Sequence, residues 1–170
     1  MNSFQKAALL LSTTCGFTGC GMFSPQHSGG GKPSILISLH EQRAYLRQGK
    51  AVVSEASIST GREGHTTPAG KFHVIRKDIA HRSSIYGDFV DAGGHTTKAG
   101  VDLRKDSRPP GSHYLGASMP YFVEFSPGFG LHEGNRPGYP ASHGCVRLSH
   151  WKARQFFEAS TIGMPVTVRQ

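Results

Sequence analysis

Residues 34–61 read SILISLHEQRAYLRQGKAVVSEASISTG, and this stretch decides the fold class. Ser34 to Leu39 is a short apolar run rich in β-favouring residues. Ala44-Tyr45-Leu46 resumes it after a polar turn, and Gly49-Lys50 separates that segment from Ala51-Val52-Val53. Short apolar runs broken by turn formers predict an antiparallel meander. Ala56 to Ser59 alternates small or apolar with polar residues and ends at Thr60-Gly61. Further strands are expected at Lys71 to Ile75, Tyr121 to Phe125 and Val166 to Val168. One helix stands out: Ser149 can cap it, Trp151, Ala153, Phe156, Phe157 and Ser160 lie near helical spacing, and Gly163 and Pro165 stop it. Residues 87–118 are turn-rich with few periodic apolar positions, so an irregular stretch is expected there, of the kind that forms lids. The expected fold is mostly β, a β-rich α+β domain with one main helix near its C-terminal end.

Composition agrees. The 170 residues include 22 Gly and 10 Pro, too many turn formers for a helical bundle. Three cysteines, Cys15, Cys20 and Cys145, are too few and too odd in number for a disulfide scaffold, which leaves each with its own task. Lys and Arg exceed Asp and Glu by 19 to 11, a net charge of +8. That charge suits a carboxylate- or phosphate-bearing polymer. Nucleic acid is not expected as the partner, because no basic helix or aromatic-basic stripe is present.

The first 19 residues have a lone Lys6, an apolar run from Ala7 to Leu11 and then small residues, the layout of an export signal and too short to span a bilayer. Phe17-Thr18-Gly19-Cys20 resembles a bacterial lipobox, which implies lipidation at Cys20 and attachment to a membrane through the lipid. Gly21 after Cys20 favours the outer membrane over the inner, so the expected location is the periplasmic side of the cell envelope. Residues 20–33, with their glycine triplet and prolines, read as a flexible tether, and residues 34–170 as the folded domain.

Reactive side chains are densest in Leu131-His132-Glu133-Gly134 and in Tyr139-Pro140-Ala141-Ser142-His143-Gly144-Cys145-Val146-Arg147-Leu148. A thiol nucleophile needs a base, a fixed backbone and donors for an oxyanion. Cys145 is the candidate nucleophile. His132 is far enough upstream to reach it from a neighbouring strand, and His143 is expected to brace the loop. Gly144 permits a tight turn. A His132/His143/Cys145 metal shell is disfavoured because the spacing matches no metal-binding pattern, and no cofactor is expected.

The segment Ala141-Ser142-His143-Gly144-Cys145-Val146-Arg147-Leu148-Ser149 resembles the signature of the L,D-transpeptidase (YkuD-like) catalytic domain family. Leu36 to Gly61 resembles that family's opening strands, Thr67-Pro68-Ala69-Gly70-Lys71-Phe72 its TPxGxF turn, and Met119-Pro120-Tyr121-Phe122 also matches. The resemblance implies a β-sandwich or barrel-like domain with a catalytic cysteine in a groove under a lid. It makes Cys145 the nucleophile and His132 the base, oriented by a backbone carbonyl such as that of Glu133. It gives the oxyanion to the Gly144 and Cys145 amides, loop support to Ser142 and His143, and a substrate carboxylate to Arg147. The implied substrate is a peptidoglycan tetrapeptide stem, cross-linked 3→3 through a thioester. Hydrolysis (L,D-carboxypeptidase activity) and attachment of a protein lysine are variants of the same chemistry. A non-enzymatic wall-binding lipoprotein is the competing class. His65 and Thr67 are read first as turn residues, and Tyr114 and Tyr121 as core in preference to groove.

Overall fold

The computed structural model describes residues 30–170. The expected leader and the Cys20 lipidation site lie outside the described residues.

The opening meander forms as predicted. β1 (Pro33–Ser38), β2 (Arg43–Gln48) and β3 (Ala51–Ser57) are antiparallel neighbours. β4 (Gly70–His73) contains the TPxGxF phenylalanine, β5 (Arg76–Asp78) follows at once, and the last strand, β12 (Pro165–Arg169), inserts parallel to β1. The first sheet therefore runs β3-β2-β1-β12-β4. Gly31 and Lys32 do not behave as free tether. Gly31 lies against Gly49, and the Gly49 amide donates to the Lys32 carbonyl at 3.1 Å, so the ordered domain starts before residue 34.

The second sheet runs β11-β10-β9-β5, from β9 (Phe122–Ser126), β10 (Phe129–Glu133) and β11 (Val146–Leu148). The helix α1 (His150–Ala159) starts at Ser149, as expected, although the serine side chain makes no capping bond. Ile35, Ile37, Ala44, Leu46, Val166 and Val168 of the first sheet share one core with Val123, Phe125, Leu131, Val146 and Leu148 of the second and with Ala153 and Phe156 of α1. Two open sheets packed face to face with one helix make this a sandwich; neither sheet closes into a barrel.

Residues 87–118 are not irregular throughout: only 91–95 and 103–112 lie outside strands. β6 (Arg82–Val90), β7 (Thr96–Asp102) and β8 (His113–Ser118) form a third, three-stranded sheet in the order β7-β6-β8. Its pattern is hard to read because it is solvated. β7 buries only Val101, and the ladders slip register near Gly87 and Phe89 and again between Arg82 and Gly87, which breaks the period-two alternation. Phe89, Val90 and Val101 give it a small core of its own.

Candidate active site

β10 and β11 run parallel with His132 opposite Arg147 and Leu131 opposite Val146. Alternate side chains leave a strand on opposite faces. Leu131, Val146 and Leu148 enter the core. His132, Arg147 and, one step before β11, Cys145 therefore face the other way, into a cavity of about 500 Å³. Its opposite wall is the third sheet and the segment after it, through Ser83, Ile85, Tyr86, Ala117 and Met119.

The loop carrying Cys145 is fixed from below by residues 59–67. Ser59 and Arg147 exchange two backbone hydrogen bonds, the Ala141 and Ser142 amides donate to the Thr60 carbonyl, and the Arg62 amide donates to that of Ser142. The buried Thr67 hydroxyl donates to the Gly144 carbonyl at 2.7 Å and accepts the Gly61 amide at 3.0 Å. Ser142 bonds the Cys145 carbonyl through its hydroxyl and accepts the Gly144 amide at 3.0 Å. Gly144 has φ +120°, and a Cβ there would stand 2.7 Å from the Phe129 ring, so only glycine fits.

His132 is 6% exposed. Its Nδ1 lies 2.6 Å from the Glu133 carbonyl oxygen. A carbonyl can only accept, so Nδ1 carries the proton and Nε2 is left as a base. Burial, with Arg147 adding to it, lowers the His132 pKa to about 4 against the pull of the Glu133 carbonyl. The Cys145 thiol donates to the Gly128 carbonyl at 3.6 Å. Burial raises its pKa, while the Gly130 amide and Arg147 pull it back. At neutral pH the thiol and the imidazole that line this cavity are thus both neutral.

Of the two amides expected to hold an oxyanion, that of Gly144 is already spent on Ser142; that of Cys145 has no hydrogen-bond partner among the described residues. Arg147 is partly buried, lines the cavity and makes no ion pair among the described residues. Its stem lies over Gly134, where a Cβ would meet it at 3.0 Å.

His143 does more than brace its own loop. Its ring stacks on Tyr86 of β6 at 4.1 Å between centroids and meets His65 edge-on at 5.0 Å. Burial and the nearby Arg62, His65 and Arg147 lower its pKa to about 4. Tyr86 was not legible as a site residue, because nothing in its strand sequence marks it. Tyr121 packs on Phe157 and His150 beside the main core, and Tyr114 bonds the Ser83 carbonyl within the third sheet, so neither lines the cavity.

Comparison with known proteins agrees with this geometry. The L,D-transpeptidase catalytic domain family matches residues 32–168. The fold resembles an L,D-transpeptidase from Mycobacterium smegmatis, at 17% identity and TM-score 0.61 over 82% of this chain and 59% of that one. It resembles L,D-transpeptidase 1 of Mycobacterium tuberculosis at 20% identity and TM-score 0.57, over 82% of this chain and 62% of that one. A structure of LdtMt1 in complex with imipenem gives 20% and 0.59, over 80% and 58%. The chain thus spans about three-fifths of the length of these structures. None of the curated proteins searched matches it. A match over nearly the whole described domain, with the Ser142-His143-Gly144-Cys145 loop seated on a β-sandwich, places the chain in the L,D-transpeptidase catalytic domain family.

Proposed function

We propose that this protein is a cysteine-dependent peptidoglycan L,D-transpeptidase. The observation that carries the reading is the projection of Cys145 and a neutral, carbonyl-anchored His132 from neighbouring strands into one cavity. His132 Nε2 takes the thiol proton as sulfur attacks the carbonyl carbon at the L-centre of the third stem residue. The Cys145 amide receives the oxyanion. Collapse breaks the bond to the terminal D-alanine, whose nitrogen takes the proton back from His132, and a thioester remains. An amine of a second stem then gives its proton to His132 and attacks the thioester. A new amide forms, and the thiol leaves with the proton. Arg147, a guanidinium at the cavity wall with no ion pair among the described residues, suits a stem carboxylate through its two-pronged geometry.

Export to the periplasmic side of the envelope and lipid attachment at Cys20 belong to the same reading, since the substrate lies there. Water or a protein lysine as acceptor gives hydrolysis or anchoring on the same thioester. The test is to incubate the protein with disaccharide tetrapeptide and follow products by mass spectrometry. Loss of D-alanine with dimer formation is expected, and Cys145→Ser abolishes both because an alcohol ionises far less readily. If neither product forms and Cys145 takes no acyl adduct from a carbapenem, the reading fails and the wall-binding alternative stands.

A further inference from the structure

The turn joining β9 to β10 is Ser126-Pro127-Gly128-Phe129, with Ser126 paired to Phe129 in the ladder. Proline holds φ near −65°, whereas both primed hairpin turns need a positive φ at that position. Gly128, at φ +79°, supplies the positive φ of a type II turn instead. Such a turn does not follow the twist of its strands, and the ladder slips register immediately after it, between Phe129 and Gly130.

Glu124 secures this turn. Its side chain is largely buried on β9, and one carboxylate oxygen accepts the Gly128 amide at 2.9 Å. The other accepts Arg76 Nε at 2.7 Å, from the residue opposite it on β5. Arg76 is itself seated over the Phe122 ring, 5.4 Å from the centroid. The carbonyl of the same Gly128 accepts the Cys145 thiol. A continuous path thus runs from Arg76 through Glu124 and the turn to the reactive sulfur. Both carboxylate oxygens are engaged in it, which leaves Glu124 as a support and not a substrate ligand.

We infer that Glu124 is a positioning residue for the nucleophile, setting through the Pro127-Gly128 turn the place where the Gly128 carbonyl holds Cys145 Sγ. The inference rests on Cys145 being the nucleophile. Length of side chain, more than its charge, is what the role requires. Gln keeps the reach and an oxygen for the Gly128 amide, whereas Asp keeps the charge but is one methylene short.

The two substitutions therefore form a crossed test in the full chain. Two readouts are taken: the rate of Cys145 alkylation by iodoacetamide, and kcat and KM for D-alanine release, with thermal melts to verify folding. Glu124→Asp is expected to lower kcat at least tenfold with KM within twofold, and to speed alkylation at least threefold because the thiol leaves its carbonyl. Glu124→Gln is expected to stay within threefold of the parent in both. Damage in Gln but not in Asp, equal damage in the two, or no change in either overturns the inference. If the parent releases no D-alanine while the alkylation contrast holds, the positioning role stands and the transpeptidase reading falls.

Discussion

The hydroxyl of Thr67 donates to the carbonyl of Gly144 at 2.7 Å, joining the TPxGxF turn to the Cys145 loop across 77 positions of sequence. The same oxygen accepts the Gly61 amide, so one buried side chain satisfies two backbone groups. Two motifs far apart in the chain are thus halves of one contact. Thr67→Val keeps the shape but strands both backbone groups, each at about 1–3 kcal/mol. The expected result is a stability loss of about 2–6 kcal/mol by thermal unfolding, with kcat reduced more than KM is changed. Thr67→Ser, which retains the hydroxyl, recovers most of both; a Val variant as stable and active as the parent contradicts the clamp.

Arg147 makes no ion pair among the described residues, and its partial burial costs hydration that no neighbour returns. On the proposed function, a substrate carboxylate is the expected partner. Arg147→Gln is expected to reduce kcat/KM for the tetrapeptide by roughly ten- to hundredfold, the equivalent of a charge-assisted hydrogen bond of about 1.5–3 kcal/mol. Lys, a point charge without the fork, restores only part. Steady-state kinetics on the stem peptide and on a form with its free carboxylates amidated decide the matter: the loss should vanish on the amidated form.

Much of this site was readable before the structure because its chemistry is local. Cys145, Gly144, Ser142 and His143 are contiguous, and His132 sits on a strand whose partner is the one they lead into. The opening meander was readable because each strand has a face in the core. Tyr86, Glu124 and Gly128 were not, for a common reason. Each acts through a contact set by register: Glu124 and Gly128 belong to the β9–β10 hairpin of the second sheet, whose ladder slips at Phe129, and Tyr86 to the third sheet, whose slipped ladders and solvated faces leave no periodic trace. Gly144 shows the reverse error. The sequence shows that a glycine is needed, but not that its amide is already taken by Ser142.

Tyr86 stacks on His143 from the third sheet, and Arg104, paired with Asp102, lies over the Tyr86 ring at 5.2 Å from its centroid. This stack is a side-chain link between the third sheet and the Cys145 loop. Aromatic pairs are worth about 0.5–1.5 kcal/mol beyond their burial, so Tyr86→Ala is expected to lower kcat/KM roughly two- to twelvefold. Tyr86→Phe keeps the stack and should remain within twofold. Equal losses in Phe and Ala would show that the hydroxyl and its bond to Arg104, not the stack, carry the effect.

Lipid attachment has its own readout. Metabolic labelling with a fatty acid is expected to mark the protein, and Cys20→Ser to remove the mark while Cys15→Ser does not. Label that persists in Cys20→Ser places the attachment elsewhere.

The state of His132 fixes how activity and stability follow pH. Its folded pKa of about 4 lies below the ordinary 6.5, so the imidazole remains a usable base well into mildly acidic solution. kcat/KM is expected to climb between about pH 3 and 5 and to stay level through neutrality. It should not fall until above the ordinary thiol range, because burial raises Cys145. Stability moves with the same group. Between pH 6.5 and 4 the unfolded chain takes up a proton that the folded one refuses, so the contribution is present above 6.5 and is lost as the pH falls toward 4. A shift of that size corresponds to about 3 kcal/mol. Burial and nearby cations shift the more exposed His143 in the same direction, so His132→Gln should flatten the slope of melting temperature against pH only in part. An acid limb near pH 6.5, or a melting profile unchanged by His132→Gln, would show that the imidazole is hydrated and titrates as an ordinary histidine rather than being held as a buried base.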